Sequence, residues 1–73
     1  MARETIEVPI TGKIISVAVK AGDTVKEGDV ICMLESMKME NPILSPVDGA
    51  IVEIGVEPEQ VVKPGEKIAV IEY

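Results

Sequence analysis

The sequence contains no histidine, phenylalanine or tryptophan, and it has a single cysteine and a single tyrosine. Without histidine the chain cannot form His-ligated metal sites, Ser-His-Asp triads or Cys-His pairs. The lone cysteine, Cys32, excludes an intrachain disulfide, and its apolar neighbours indicate an unreactive buried thiol. The scarcity of aromatic residues also removes the platform on which single-stranded nucleic acids stack.

Basic residues and long apolar runs are scarce as well. Seven Lys and Arg residues stand against 13 Asp and Glu residues, which gives a net charge of -6. Such a chain lacks the basic surface that nucleic-acid binding requires, so we expect no nucleic-acid partner. No apolar run approaches the length of a membrane span, and the N-terminal residues lack the apolar core of a signal peptide. We therefore expect no membrane insertion and a cytoplasmic location.

The apolar residues that are present are almost all aliphatic, and valine and isoleucine dominate them. β-Branched side chains suit pleated sheets and are mediocre helix formers. No stretch shows a convincing helical period. Because 73 residues suffice for one small domain and are too few for two, we predict a single all-β domain over residues 1–73.

The two halves of the chain resemble each other. When the sequence is shifted by 37 positions, residues 8–35 align with residues 45–72 without a gap, and nine of the 28 pairs are identical. The identical pairs are Pro9/Pro46, Gly12/Gly49, Ile14/Ile51, Val19/Val56, Val25/Val62, Lys26/Lys63, Gly28/Gly65, Ile31/Ile68 and Glu35/Glu72. The repeat predicts two similar halves related by a quasi-two-fold axis and joined by the segment 36–44.

Each half accommodates about four short strands between turns that contain glycine or proline. The first long run of each half alternates apolar with polar or small residues, and this predicts core-facing side chains at Ile15, Val17, Val19, Val52, Ile54 and Val56. The later runs Val30–Glu35 and Lys67–Glu72 are apolar on both faces and should lie nearer the middle of the molecule. We therefore predict a flattened barrel or sandwich of two roughly four-stranded antiparallel sheets.

Lys38 lies in the segment that joins the two halves. The strands Val30–Ser36 and Met39–Leu44 can pair as a hairpin with Met37 and Lys38 as a two-residue loop. Such loops favour Asn-Gly or Gly-containing pairs because their central residues need φ > 0, so this loop breaks a local rule. Positions that break local rules are more often functional. Under the quasi-two-fold axis the joining segment is the counterpart of the paired chain ends, so Lys38 should be exposed at the end opposite the termini.

The residues around Lys38 resemble those of a known family. The run from Glu35 to Asn41, Glu-Ser-Met-Lys-Met-Glu-Asn, resembles the attachment site of biotinyl domains, which most often reads Ala-Met-Lys-Met with serine as a common replacement for alanine. The resemblance covers nearly the whole chain and includes residues 9–12, 25–29 and 45–49. Lys38 also stands 35 residues before the C-terminus, as in that family.

The resemblance implies a biotin carboxyl carrier domain. Lys38 would form an amide with biotin by attacking biotinyl-adenylate on a biotin protein ligase, which would recognise Met37, Met39, Ser36 and Glu35. The resulting arm would swing between a biotin carboxylase and a carboxyltransferase of a biotin-dependent carboxylase or decarboxylase. The domain would be a carrier and not itself a catalyst.

The length of the chain refines this interpretation. Some bacterial members of the family carry an extra protruding hairpin before the lysine, and the 37 residues ahead of Lys38 leave no room for it. This favours the plainer domains of acyl-CoA carboxylases, pyruvate carboxylases and decarboxylases. No Pro/Ala-rich linker precedes Arg3, so we expect an excised C-terminal domain or a very short free-standing carrier.

Two other functions remain open from the sequence. A lipoyl domain would share the fold and the lysine position, but that family typically has Asp before the lysine and Ala after it, where this chain has Met37 and Met39. An unmodified β-sandwich that acts as an assembly module would need no lysine at the junction. An enzyme based on paired carboxylates is not favoured by the spacing of the acidic residues.

Overall fold

A computed structural model describes residues 2–73, and these residues form eight β-strands and no helix. The strands are β1 (Arg3–Glu7), β2 (Gly12–Val17), β3 (Thr24–Val25), β4 (Val30–Ser36), β5 (Met39–Leu44), β6 (Gly49–Ile54), β7 (Val61–Val62) and β8 (Lys67–Glu72). The predicted all-β fold with about four strands per half is confirmed. Within residues 2–73 no helix has the length and apolar character that crossing a membrane would require.

The strands form two four-stranded antiparallel sheets, in the orders β1-β8-β6-β3 and β5-β4-β2-β7. A shift of 37 residues carries β2 onto β6 and β3 onto β7, and it relates β1 to β5 and β4 to β8. The same exchange converts the strand order of one sheet into that of the other. The structure therefore has the internal two-fold pseudo-symmetry that the repeat predicts.

The core lies between the sheets and consists of aliphatic side chains. Its most deeply buried large members are Ile14, Ile31, Leu34, Ile51, Ile68 and Ile71. As predicted, β4 and β8 lie nearest the middle of the molecule, because each contributes at least three buried residues, whereas no other strand within residues 2–73 contributes more than one. Cys32 in β4 is fully buried, as its apolar neighbours indicated.

One part of the predicted alternation is wrong. Ile15 is only half-buried and Val52 is 37% exposed, whereas the residues just before them, Ile14 and Ile51, are buried in the core. The reason is a register shift in each half, between Ile14 and Ser16 in β2 and between Ile51 and Glu53 in β6. A bulge inserts one residue and moves the inward-facing positions by one. Beyond the bulge, the predicted positions Val17, Val19, Ile54 and Val56 do pack against the core.

The strand pairings place the chain termini and the β4–β5 hairpin at opposite ends of an elongated molecule of 36 × 18 × 16 Å. Ala2 and Tyr73 form two backbone hydrogen bonds of 2.8 Å with each other. From there β1 runs along β8, and the carbonyl of Thr11 meets Ser36 at the base of the hairpin. Arg3 pairs with Glu72 beside the termini, whereas Gly12, at the base of the hairpin, pairs with Val62 ten residues earlier in the C-terminal segment. The predicted separation of Lys38 from the termini agrees with these pairings.

Candidate functional site: the lysine hairpin

β4 and β5 form a hairpin whose last pair is Ser36 opposite Met39, so Met37 and Lys38 make up its entire loop. Both loop residues have positive φ, 54° for Met37 and 66° for Lys38. Positive φ at both central positions is the requirement of the type I′ turn, which matches the twist of the flanking strands. For an L-residue other than glycine or asparagine this conformation costs about 1–2 kcal/mol. The predicted conflict between loop sequence and loop geometry is thus present.

The hairpin tip extends into solvent. The side chain of Lys38 is exposed, and the methionines on either side of it are exposed as well, Met37 to 91% and Met39 to 66%. None of the ion pairs formed within residues 2–73 includes Lys38. The lysine amine is therefore accessible to a partner, and its two neighbours present apolar thioether side chains where surface residues are usually polar.

The base of the hairpin is held by two contacts with the segment between β1 and β2. The hydroxyl of Ser36 donates a 2.8 Å hydrogen bond to the carbonyl oxygen of Thr11. Gly12 packs so closely against β4 that a Cβ atom there would lie 2.4 Å from the carbonyl oxygen of Glu35. These contacts support the strand ends from which the loop projects.

Gly12 has a different role from the one that its sequence context indicates. The Pro9–Gly12 segment reads as a turn in which glycine supplies positive φ, but the glycines with positive φ in residues 2–73 are Gly22, Gly28 and Gly65. Gly12 instead begins β2 and permits close strand approach. Its counterpart Gly49 repeats this contact at the opposite end, where a Cβ would lie 2.4 Å from the carbonyl oxygen of Glu72.

A row of charged residues crosses the sheet just below the tip. Glu35 lies opposite Glu40 on one side and opposite Lys13 on the other. The Lys13 ammonium contacts a carboxylate oxygen of Glu59 at 2.6 Å. This hydrogen bond, the charge of Glu59 and, more weakly, the charge of Glu35 raise the pKa of Lys13 above its ordinary value. Two exposed carboxylates that face each other across a hairpin repel, so the Glu35–Glu40 pair does not stabilise the fold.

Glu59 is a residue that sequence reasoning missed. It has a φ of 73°, and its amide donates a hydrogen bond to the carbonyl of Ile14. The corresponding residue of the first half is Gly22, with a φ of 100° and an equivalent bond to the carbonyl of Ile51. The alignment of the two halves could have identified Glu59 as unusual, because it places this charged side chain where the other half has a glycine with positive φ.

The predicted site residues Glu35, Ser36, Met37, Lys38 and Met39 therefore lie together on one hairpin. A rigid sandwich that holds an exposed lysine on a two-residue loop, remote from its own termini, has the architecture of a carrier-type domain. The family model described as "Biotin-requiring enzyme", Biotin_lipoyl, matches residues 4–71, and the chain belongs to this family.

Individual relatives agree with this assignment. Over 40 residues, 55% of this chain, the sequence is 55% identical to the methylmalonyl-CoA decarboxylase subunit gamma of Veillonella parvula, of which the match covers 31%. It is 43% identical over 42 residues, 58% of this chain, to the biotinylated protein TB7.3 of Mycobacterium tuberculosis, of which the match covers 59%. The chain thus spans less than a third of the first of these relatives.

A solved structure shows the same fold over nearly the full length of both chains. It is the lipoyl domain of the 2-oxoglutarate dehydrogenase complex from Azotobacter vinelandii, which superposes with a TM-score of 0.82 at 25% identity. The superposition covers 94% of this chain and 95% of that domain. This chain therefore shares the architecture of a lipoyl domain, and the fold alone does not distinguish a biotin-type carrier from a lipoyl-type carrier.

Proposed function

We propose that Lys38 is the covalent attachment point of biotin and that the domain carries carboxyl groups within a biotin-dependent carboxylase or decarboxylase. The observation that carries this proposal is the exposed Lys38 on a strained two-residue loop between Met37 and Met39, where it takes part in none of the ion pairs formed among residues 2–73. Membership of the family of biotin-requiring enzymes supports biotin as the attached group. The biotinylated relative from Mycobacterium tuberculosis supports it further.

The geometry of the hairpin suits the chemistry of attachment. A biotin protein ligase must bring the Nζ atom of Lys38 to an activated carboxyl group, with which the amine forms an amide as the adenylate leaves. The positive φ values at Met37 and Lys38 hold the loop in a tight turn, so the amine projects beyond the strands. In this proposal the ligase recognises Met37, Met39, Ser36 and Glu35, which the hairpin presents beside the amine.

The shape of the molecule suits the task of a carrier. When bound, biotin supplies the atom that accepts and releases the carboxyl group. The chain supplies a flexible lysine stem on a rigid base, at the end remote from any tether attached through its termini. Tethering makes each transfer between biotin carboxylase and carboxyltransferase effectively intramolecular, at a raised local concentration.

The decisive experiment is an acylation assay on the whole chain. The protein is incubated with biotin, ATP and a biotin protein ligase, and its intact mass is measured. We expect one biotin adduct on the parent chain and none on Lys38→Arg, which keeps the charge but removes the nucleophile. Lys63→Arg is the matched control, since Lys63 is also exposed but lies in the turn after β7, and it should still accept one adduct.

A lipoyl-type carrier is the second candidate, and the superposition with the lipoyl domain from Azotobacter vinelandii favours its inclusion. The same assay with lipoate and a lipoate ligase distinguishes the two functions. An adduct on Lys38 with lipoate alone would replace biotin by lipoate in the proposal. An unmodified Lys38 in both arms would instead favour an assembly module with no attached group.

A further inference from the structure

The chain distributes the sulfur atoms of its described residues over very different environments. Cys32 is fully buried in the core, and Met33 beside it is half-buried. Met37 and Met39, in contrast, are 91% and 66% exposed at the hairpin tip, where they flank Lys38. The two exposed thioethers are therefore concentrated at the one place where the proposed function needs contact with a partner.

Exposed methionine reacts with hydroperoxides, and burial protects it. In the reaction with hydrogen peroxide, the thioether sulfur loses two electrons and gains one oxygen as the peroxide O–O bond breaks. The products are methionine sulfoxide and water. The side chain changes from apolar to polar and becomes a strong hydrogen-bond acceptor, and methionine sulfoxide reductases reverse the change.

We propose that Met37 and Met39 form a reversible, peroxide-sensitive modification site that controls whether partners accept Lys38. The control of acylation rests on the proposed function, whereas the order of oxidation does not. We expect a partner that encloses the lysine to contact both methionine side chains, because they are exposed on either side of Lys38 at the hairpin tip. A sulfoxide oxygen enclosed in such a contact without a donor carries a desolvation penalty.

Oxidation at the hairpin tip should change partner binding without damage to the fold. Neither methionine at the tip belongs to the hydrophobic core, and the hydrogen bond at the hairpin base joins Ser36 to Thr11. Oxidation of Met37 and Met39 therefore leaves the sandwich intact. Met33 in β4 also lies outside the core, and its half-buried side chain serves as the less accessible comparison.

The first measurement is the order of oxidation. The unmodified chain is exposed to graded hydrogen peroxide, the peroxide is removed with catalase, and sulfoxides are assigned by tandem mass spectrometry. We expect Met37 and Met39 to be oxidised well before Met33, with an unchanged unfolding temperature. Because Met33 and Met37 lie on one tryptic peptide, the fragment ions must show which of the two residues carries the sulfoxide. Equal rates at Met33 and Met37 would overturn the proposal.

The second measurement is the rate at which biotin protein ligase acylates the treated chain. We expect a loss of about tenfold after oxidation at the tip, as an unsatisfied polar group in a contact would cause, and recovery after reductase treatment. The double variant Met37→Leu/Met39→Leu is compared with its own untreated sample, and peroxide should no longer change its rate. Met33→Leu is the matched control and should remain peroxide-sensitive.

The outcomes separate this proposal from the proposed function. An undiminished acylation rate with both tip methionines oxidised would overturn the regulatory step while biotinylation stood. A chain that no biotin protein ligase acylates before peroxide treatment would overturn the proposed function and the regulatory step together. In that case ordered oxidation at the tip would still establish the modification site.

Discussion

Gly12 and Gly49 occupy equivalent positions in the two halves, so an alanine substitution at either one introduces the same kind of steric clash at opposite ends of the molecule. In Gly12→Ala the new methyl group would lie 2.4 Å from the carbonyl oxygen of Glu35 and 2.9 Å from Cδ1 of Leu34. In Gly49→Ala it would lie 2.4 Å from the carbonyl oxygen of Glu72 and 2.8 Å from Cγ2 of Ile71. The perturbations are nearly identical, because the pseudo-two-fold axis relates the two sites.

Each substitution should destabilise the fold by a similar amount. The obstructing atom is a backbone oxygen, so the strands must separate, and overpacking of this kind costs about 1–3 kcal/mol. For a domain of this size, each kcal/mol lowers the unfolding temperature by about 4–8 °C. Thermal unfolding followed by far-UV circular dichroism should therefore show two comparable decreases.

Under the proposed function, acylation of Lys38 should respond to only one of the two substitutions. Gly12→Ala moves β2 away from the part of β4 that supports the Lys38 hairpin, whereas Gly49→Ala acts beside the termini. Well below both unfolding temperatures, biotin protein ligase should acylate the Gly12→Ala chain more slowly and the Gly49→Ala chain at the parent rate. Equal acylation rates for the two variants, or unfolding temperatures that match the parent, would refute the reasoning.

Three further predictions follow from individual residues. Burial raises the pKa of the Cys32 thiol from its ordinary value to about 11, so the native state keeps its proton where the unfolded chain loses it. Stability to urea should therefore fall as the pH rises from 9 to 11, and the fall should be smaller in Cys32→Ala. An equal fall in that variant would contradict this. Glu59→Gln should lower the pKa of Lys13 towards its ordinary value, because Glu59 is the largest cause of the raised pKa. The pKa is measured by NMR titration, and an unchanged pKa would exclude the Lys13–Glu59 ion pair in solution. Met37→Asn should raise the unfolding temperature, because asparagine tolerates the positive φ of this position. Met39→Asn, which lies within β5, should not raise it. A decrease for Met37→Asn would argue against the turn geometry.

Most of the architecture follows from local patterns in the chain. The 37-residue repeat predicts the pseudo-symmetry, and the doubly apolar runs predict that β4 and β8 lie nearer the middle of the molecule than the other strands. The Met37-Lys38 loop is also predictable, since two strand-forming runs leave only these two residues between them. These features depend on periodicity and short spacing, which are visible without any knowledge of distant contacts.

The errors and omissions concern interactions between distant segments. The bulge after Ile14 changes which side chains enter the core, and nothing in the alternation of β2 signals the extra residue. Gly12 looks like a turn residue until the carbonyl of Glu35 is found beside it. Glu59 looks like an ordinary surface charge until its positive φ and its contact with Lys13 are known.

The amino-acid order of this chain is enough to establish its strand content, its duplication and the lysine between two methionines, because each is a pattern over neighbouring or regularly spaced residues. Folding adds the environment of that lysine. Sheet pairing brings Thr11 and Gly12 against the base of the hairpin, and it places the termini at the far end. Support at the base of the Lys38 hairpin depends on residues about 25 positions away in the chain, which meet only when two strands pair across the sheet.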